Sequence, residues 1–127
     1  MSPTFILAAA LGGSIGSAAR YMVGVFIGRL SSTTFPWATL IINVSGSVLM
    51  GALVALILIR WDLSQAARIF LTVGVCGGFT TFSTFSLDAY SLIEKGNLMA
   101  AVIYMVASAV LSIVALALAM YAVRSLH

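Results

Sequence analysis

Long apolar runs separated by short polar segments are the dominant pattern along the chain. The separating segments are "RLSSTTFP", "RWDLSQ" and "EKGN". Each of the four runs reaches the ~20 residues that a helix needs to cross a bilayer, and their approximate bounds are 3–28, 37–59, 67–93 and 98–123. Because a membrane-spanning segment must satisfy its own backbone hydrogen bonds, the pattern predicts an all-α membrane protein. Residues 1–127 would form a single domain with four transmembrane helices.

The composition supports this interpretation. Hydrophobic residues make up 62% of the chain and charged residues 7%, whereas roughly 25% of the residues in a soluble domain are charged. The six Lys and Arg side chains are too few for a nucleic-acid-binding surface, so no nucleic-acid partner is expected. The start "MSPTFILAAALGG" lacks the basic region of a secretory signal, and its apolar run is too long for one. We therefore interpret it as the first span.

The basic residues give almost no bias in membrane orientation. With four spans, one side of the membrane would carry Arg60, Arg68 and Arg124, and the other Arg29 and Lys95. The positive-inside rule has little difference to act on. Two interpretations stay open on this count: one orientation wins by a small margin, or copies insert both ways and pair antiparallel.

Glycine recurs along one face of the first span. Gly12, Gly16, Gly24 and Gly28 are spaced in multiples of four residues, and Arg20 takes the remaining position. Stripes of small residues let membrane helices approach closely, so the default role of this stripe is packing. Since four helices enclose little space and eight enclose more, we expect a homodimer.

Every span also carries polar side chains at membrane depth, where such groups are costly. They are Arg20 in the first span, Thr39, Asn43 and Ser47 in the second, Thr80, Thr81, Ser83, Thr84 and Ser86 in the third, and Tyr104, Ser108 and Ser112 in the fourth. A single Ser or Thr commonly bonds its own helix or a neighbouring one. Stripes on all four helices, including an arginine and an asparagine, indicate a pathway more strongly than any one hydroxyl.

The chemical type of these groups favours an anion. They are hydrogen-bond donors or cations, while Asp62, Asp88 and Glu94 are all expected at or near the ends of spans. Proton-coupled transport needs a buried acid, and a cation pore usually needs acidic side chains or carbonyls. The chain has one Cys and one terminal His, and no nucleophile–base or side-chain metal constellation, so an enzyme is not expected.

The stretch "GVCGGFTTFSTFSLD" predicts an interruption near the middle of the third span. Gly77 and Gly78 each lower helix propensity by about 1 kcal/mol relative to Ala, and Thr80 and Thr81 follow them. Freed backbone groups at this depth are tolerated where they line a cavity or bind an ion. Carbonyls would suit a cation such as Na⁺, and a helix N-terminus would suit an anion.

Two phenylalanines follow the predicted interruption at a spacing of three. Phe82 and Phe85 would share a helix face, and the ordinary role of such residues is packing or lipid contact. Aromatic rings carry a positive edge, so rings beside a polar interruption could contact an anion weakly enough to release it.

At this point the chain resembles a known family. The segment "GGFTTFSTFS", residues 77–86, is similar to the signature of the Fluc (CrcB) fluoride channels. The resemblance extends to "GGSIGSAARY", to "TLIINVSGS", to the four-span layout and to the stripe of Tyr104, Ser108 and Ser112.

The resemblance implies a multi-pass channel of the bacterial inner membrane that exports fluoride passively and relieves its toxicity. It implies an antiparallel, dual-topology homodimer with two pores along the subunit interface and a central, structural Na⁺. The Na⁺ would be held by the backbone carbonyls of Gly77 and Thr80. Arg20 would lie at an aqueous vestibule. The fluoride pathway would comprise Asn43, Phe82, Phe85 and a polar track of Thr84, Tyr104, Ser108 and Ser112.

The residues alone indicate an anion pathway in a dimer and do not select fluoride. One alternative is a small, dual-topology, proton-coupled multidrug exporter, but this class needs an acid deep in the first span, and "ILAAALGGSIGSAARYMVG" has none. Another is a non-transporting membrane assembly subunit whose polar faces serve packing only.

Overall fold

The computed structural model describes all residues from 1 to 127, and all of its regular structure is helical. Helix α1 covers Pro3–Leu30, α2 covers Trp37–Ile59 and α6 covers Leu98–Leu126. The third span consists of α3 (Gln65–Ile69), a π-helical segment (Phe70–Cys76), α4 (Gly77–Phe79) and α5 (Phe82–Glu94). Four helical stretches are long and apolar enough to cross a membrane, with the third running from Gln65 to Glu94. The predicted all-helical, four-span architecture is confirmed.

The helices pack in two pairs. Helix α2 lies along α6, and α1 lies along the π-helical segment and α4. Few apolar side chains are buried, and five of them form one cluster: Leu40, Ala89, Leu92, Ala101 and Tyr104. Most of the other large apolar side chains lie on the outside of the chain, as expected where lipid or a second protein surface replaces water.

The glycine stripe of α1 makes close helix contacts only in the first half of the helix. A side chain at Gly12 or Gly16 would collide with backbone atoms of the π-helical segment and α4, whereas nothing lies within 4 Å of the Cβ position at Gly24 or Gly28. The first half of α1 therefore packs against the third span at backbone contact distance. Its second half loses that neighbour after the third span is interrupted.

The predicted interruption near the middle of the third span is confirmed at Thr80 and Thr81, but the two glycines play a different part from the one predicted. Gly77 and Gly78 are helical, and the backbone becomes extended at Thr80 (φ −80°, ψ 159°) and Thr81 (φ −150°, ψ 124°). A Cβ at Gly78 would lie 2.7 Å from the Gly13 carbonyl oxygen. Gly78 is thus small because α1 passes close by, and the break itself follows two residues later.

Gly96 follows the end of the third span. It has φ 81°, a conformation that glycine adopts without steric cost, and the N–H of Asn97 donates to the Leu92 carbonyl at 2.9 Å. This reversal directs the chain into α6, which begins at Leu98.

Candidate functional site

An open groove of about 350 Å³ lies beside the interruption, between α2, the start of α5 and α6. The sequence-predicted residues that line it are Asn43, Thr80, Phe82, Phe85, Ser108 and Ser112. Residues from three spans that are far apart in the sequence therefore meet in one place. Thr84, Tyr104, Arg20 and Gly77 do not line the groove.

Asn43 holds the backbone of the interruption from α2. Its Nδ2 donates to the Thr81 carbonyl at 3.1 Å, and its Oδ1 accepts from the Thr81 N–H at 2.9 Å. In a continuous helix that N–H would bond to the Gly77 carbonyl. The carboxamide thus supplies both hydrogen bonds of one backbone residue.

Thr81 in turn starts α5. Its Oγ1 accepts from the Thr84 N–H at 3.2 Å, the usual bond of a threonine N-cap, and it donates to Thr84 Oγ1 at 3.2 Å. This explains why Thr84, a predicted member of the polar track, is turned toward the cap rather than into the groove.

Arg20 approaches the interruption from the opposite side. It is half-buried on α1, and its Nε donates to the Gly78 carbonyl at 3.1 Å. Nε is the one nitrogen of the guanidinium group with a hydrogen-bond partner in this chain. The role that the resemblance implies for Arg20 at a vestibule stays a prediction, because the structure shows a contact with backbone and no vestibule.

The two carbonyls predicted to hold Na⁺ have both lost their helical donors. The Thr81 N–H, helical partner of the Gly77 carbonyl, donates to Asn43, and the Thr84 N–H, helical partner of the Thr80 carbonyl, donates to Thr81 Oγ1. Gly77 is exposed on the surface of the chain. Uncharged oxygen ligands of this kind fit an alkali cation, so the residues present suit the predicted ion.

Phe82 and Phe85 form the aromatic side of the groove. Their ring centroids lie 5.3 Å apart with the planes tilted by 41°, an arrangement that exposes ring edges as well as faces. Phe82 is 78% exposed, which is unusual for a ring beside a polar interruption. This chain alone provides no cover for it.

Tyr104 lies behind Phe85, outside the groove. It is fully buried, packs against the rings of Phe85 and Phe35, and its hydroxyl donates to Asp88 Oδ2 at 3.1 Å. Asp88 lies midway along α5 (Phe82–Glu94), in the last third of a span that ends at Glu94.

Ser108 is the one buried polar side chain without a partner. Its Oγ makes no hydrogen bond, and the residue is 5% exposed. Buried hydroxyls are normally satisfied, so an unpartnered one on a groove is a site where a ligand could bind. Ser112, one turn further along α6, shares the same groove.

Four groove residues were not among the predicted site residues: Ser47, Thr81, Ala109 and Ile113. Ser47 and Thr81 belong to the polar stripes and could have been included, since Ser47 is one turn from Asn43. Nothing in the sequence marks Ala109 or Ile113, because an apolar residue on an apolar helix carries no signal until its neighbours are known.

Comparison with known proteins gives one consistent result. A family model described as CrcB-like protein, Camphor Resistance (CrcB), matches residues 7–120. A Nitrobacter hamburgensis protein named fluoride-specific ion channel FluC 1 is 59% identical over 126 residues, covering 99% of this chain and 100% of that relative.

Two further relatives carry the name fluoride-specific ion channel FluC. The protein of Nitrobacter winogradskyi is 56% identical over 124 residues and covers 98% of each chain. That of Agrobacterium fabrum is 54% identical over 106 residues and covers 84% of this chain and 85% of its own length. With a model match over most of its length and relatives this similar, the chain belongs to the CrcB family.

Proposed function

We propose that this chain is a fluoride-specific ion channel that lets fluoride leave the cytoplasm passively and so relieves its toxicity. The observation that carries the proposal is the groove. It combines Asn43, Ser108 and Ser112 with the Phe82–Phe85 pair, in a chain 59% identical to a relative with that name.

The groove has the chemistry that fluoride requires. The ion holds its water strongly, so a pore must replace several hydrogen bonds, and the hydroxyls of Ser108 and Ser112 are placed to donate them. The unpartnered Ser108 hydroxyl needs no bond broken before it can do so. Ring edges of Phe82 and Phe85 add weaker attraction, which keeps the ion from being bound too tightly to leave.

The proposal includes an antiparallel, dual-topology homodimer in the bacterial inner membrane. Two observations support it. The groove is open along one side and Phe82 is 78% exposed, so a second copy would close the path. In addition, Arg20 bonds the middle of the third span, which leaves Arg60, Arg68 and Arg124 on one side of the membrane against Arg29 and Lys95 on the other.

A structural Na⁺ at the centre of the dimer is also part of the proposal. The carbonyls of Gly77 and Thr80 would hold it, since both have lost their helical donors. When bound, the ion would supply a fixed positive charge between the two interruptions. In this chain Gly77 is exposed and Thr80 is half-buried.

One observation favours the alternative of a proton-coupled exporter, and another speaks against it. Asp88 is an acid within α5, but it accepts a hydrogen bond from Tyr104 and does not line the groove. A non-transporting assembly subunit would need no buried hydroxyl without a partner. A channel accounts both for the position of Asp88 outside the groove and for the unpartnered Ser108 hydroxyl on it.

The test is a flux measurement on purified protein in liposomes with a fluoride electrode. We expect fluoride efflux that is independent of a proton gradient, with chloride flux lower by at least about a hundredfold. Phe82→Ile should reduce fluoride efflux at least about tenfold, because the variant loses the ring edge but keeps an apolar side chain. Asn43→Asp should also lose most of the flux, since a carboxylate repels an anion.

Phe26→Ile is the matched control, because Phe26 is also exposed but lies on α1, outside the groove. It should retain the flux of the unmodified protein. Chloride efflux comparable to that of fluoride, or fluoride efflux that stops when the proton gradient is collapsed, would contradict the proposal.

A further inference from the structure

The interruption of the third span is held by side chains from two other spans. Asn43 on α2 makes two hydrogen bonds to the backbone of Thr81, and Arg20 on α1 makes one to the carbonyl of Gly78. These three contacts lie on either side of the residues where the helix stops. They join the interruption to both neighbouring helices.

An interruption inside a membrane needs such contacts. Backbone groups without partners are costly in a bilayer, and resuming a continuous helix through Thr80 and Thr81 would satisfy them within the span. Asn43 reduces that advantage, because it gives the Thr81 N–H and carbonyl the partners that they would otherwise lack in the open conformation. The extended backbone is therefore stabilised relative to the helix.

The packing of α1 against the third span fixes the distance from Arg20 to the Gly78 carbonyl. At Gly12 and Gly16, α1 lies in contact with the backbone of the π-helical segment and α4. Arg20 follows one turn after Gly16 on the same face. Because the two backbones are already in contact there, α1 cannot move closer to the third span, and the guanidinium reaches Gly78 from a rigid support. It holds the end of α4 while Asn43 holds the start of α5.

We propose that Arg20 and Asn43 are positioning residues that keep the third span interrupted, so that the carbonyls of Gly77 and Thr80 stay free to bind a cation. For Asn43, this means that both polar atoms of the carboxamide are engaged by backbone, and one N–H of Nδ2 is left for the groove. For Arg20, it assigns a backbone partner in addition to any role in attracting anions. The cation part rests on the proposed function above.

Amide hydrogen exchange of the whole protein in detergent or nanodiscs tests the positioning role directly. The peptide covering residues 77–84 is followed by mass spectrometry in the unmodified protein and in Asn43→Ala and Arg20→Met. Loss of one hydrogen bond at an otherwise protected site should speed local exchange about five- to tenfold. Arg20→Lys keeps a donor and should restore part of the protection.

Two matched controls separate this effect from general loosening. Ser45→Ala removes a hydroxyl from α2 whose only bond is to its own helix, at the Ile42 carbonyl, and Arg29→Met removes an arginine near the end of α1. Both should leave exchange at residues 77–84 unchanged. Peptides from α2 and α6 report whether any variant has unfolded as a whole, and the comparison uses protein that elutes as a single species.

The second measurement is thermal melting in NaCl against choline chloride. We expect Na⁺ to raise the melting temperature of the unmodified protein and of both controls. In Asn43→Ala and Arg20→Met this rise should be at most half as large. If Na⁺ has no effect on the unmodified protein while exchange changes as expected, the cation site is wrong and the positioning role stands. Unchanged exchange at residues 77–84 in both variants would overturn the positioning role, whatever the fluoride flux.

Discussion

The polar side chains in and around the groove differ in whether they have hydrogen-bond partners. Tyr104 donates to Asp88 at 3.1 Å, and Asn43 is engaged by Thr81 through both of its polar atoms. Ser108 is only 5% exposed, and its hydroxyl has no partner. Because buried hydroxyls are normally hydrogen-bonded, Ser108 is the residue that the proposed function assigns most directly to the ion.

Ser108→Ala should therefore separate stability from transport. Leaving a buried hydroxyl unsatisfied costs about 1–3 kcal/mol, so we expect the melting temperature to stay the same or rise slightly. Fluoride flux should fall at least about fivefold, because one donor of the pathway is lost. Both quantities are measured on the same preparation, by thermal melting in detergent and by the fluoride electrode.

Tyr104→Phe is the contrasting variant. It leaves the Asp88 carboxylate without the hydroxyl that it accepts from, so the melting temperature should fall. A Ser108→Ala protein that is clearly less stable than the unmodified one would show instead that the hydroxyl has a structural partner.

At the scale of elements, the contact between α1 and the third span is made at backbone distance. The contact is made at glycine, because Gly12 and Gly74 approach so closely that a Cβ at Gly74 would lie 2.7 Å from the Gly12 Cα. No side chain could be accommodated there without separating the helices. Beyond this contact Arg20 donates from α1 to the Gly78 carbonyl, next to the residues where α4 ends.

The two halves of the α1 stripe should respond oppositely to substitution. A Cβ at Gly16 would lie 2.8 Å from the Phe79 nitrogen and still closer to the Val75 carbonyl oxygen. Because backbone cannot give way, Gly16→Ala should cost about 1–3 kcal/mol or more and reduce the yield of monodisperse protein. Gly24→Ala meets nothing within 4 Å and removes a poor helix former, so it should be neutral or stabilising.

Thermal melting and gel filtration of the two variants, prepared together, provide the measurement. Equal tolerance at both positions would contradict the tight seam between α1 and the third span. A large loss at Gly24 would show that a second copy covers that part of α1.

At the scale of the whole molecule, the nearly balanced basic residues are the feature that the dimer proposal depends on. One set of ends carries Arg60, Arg68 and Arg124, the other carries Arg29 and Lys95, and the third span contributes no basic residue beyond Arg68. Since the positive-inside rule acts on such differences, a few substitutions should fix the orientation of all copies.

We expect the pair Arg29→Gln with Lys95→Gln to insert mainly one way, and the triple change of Arg60, Arg68 and Arg124 to Gln to insert mainly the other way. Each alone should lose most of its fluoride resistance in growing cells, because an antiparallel dimer cannot form. Expression of both together should restore it. Full resistance from either variant alone, with its single orientation confirmed by labelling of a terminal cysteine, would contradict the antiparallel dimer.

Much of the fold followed from the sequence because lipid simplifies the problem. A run of about 20 apolar residues has one economical conformation in a bilayer, so span number and the bounds of α2, Trp37–Ile59, could be predicted directly. The interruption was predictable as well, although glycine was given the wrong role in it. Gly78 proved to be a contact with α1, and the extended residues proved to be two threonines that Asn43 and a helix cap stabilise.

The candidate site was predictable in its membership more than in its geometry. Polar side chains at membrane depth, together with the resemblance in residues 77–86, identified most of the groove. Spacing could not show that Tyr104 lies behind Phe85 and bonds Asp88, or that Thr84 turns toward Thr81. Those facts depend on which face of each helix meets its neighbour.

The sequence by itself thus determined the membrane class, the four spans, the donor-rich chemistry and the family, because each depends on residue type along a single helix. Tertiary structure decided where the third span stops, which carbonyls lose their donors and which hydroxyl has no partner. Each of these depends on how the helices are placed relative to one another: Arg20 reaches Gly78, Asn43 reaches Thr81, and Ser108 faces an open groove. The physical reason is that a hydrogen bond is made or lost within a few tenths of an ångström, and only helix packing fixes distances so closely.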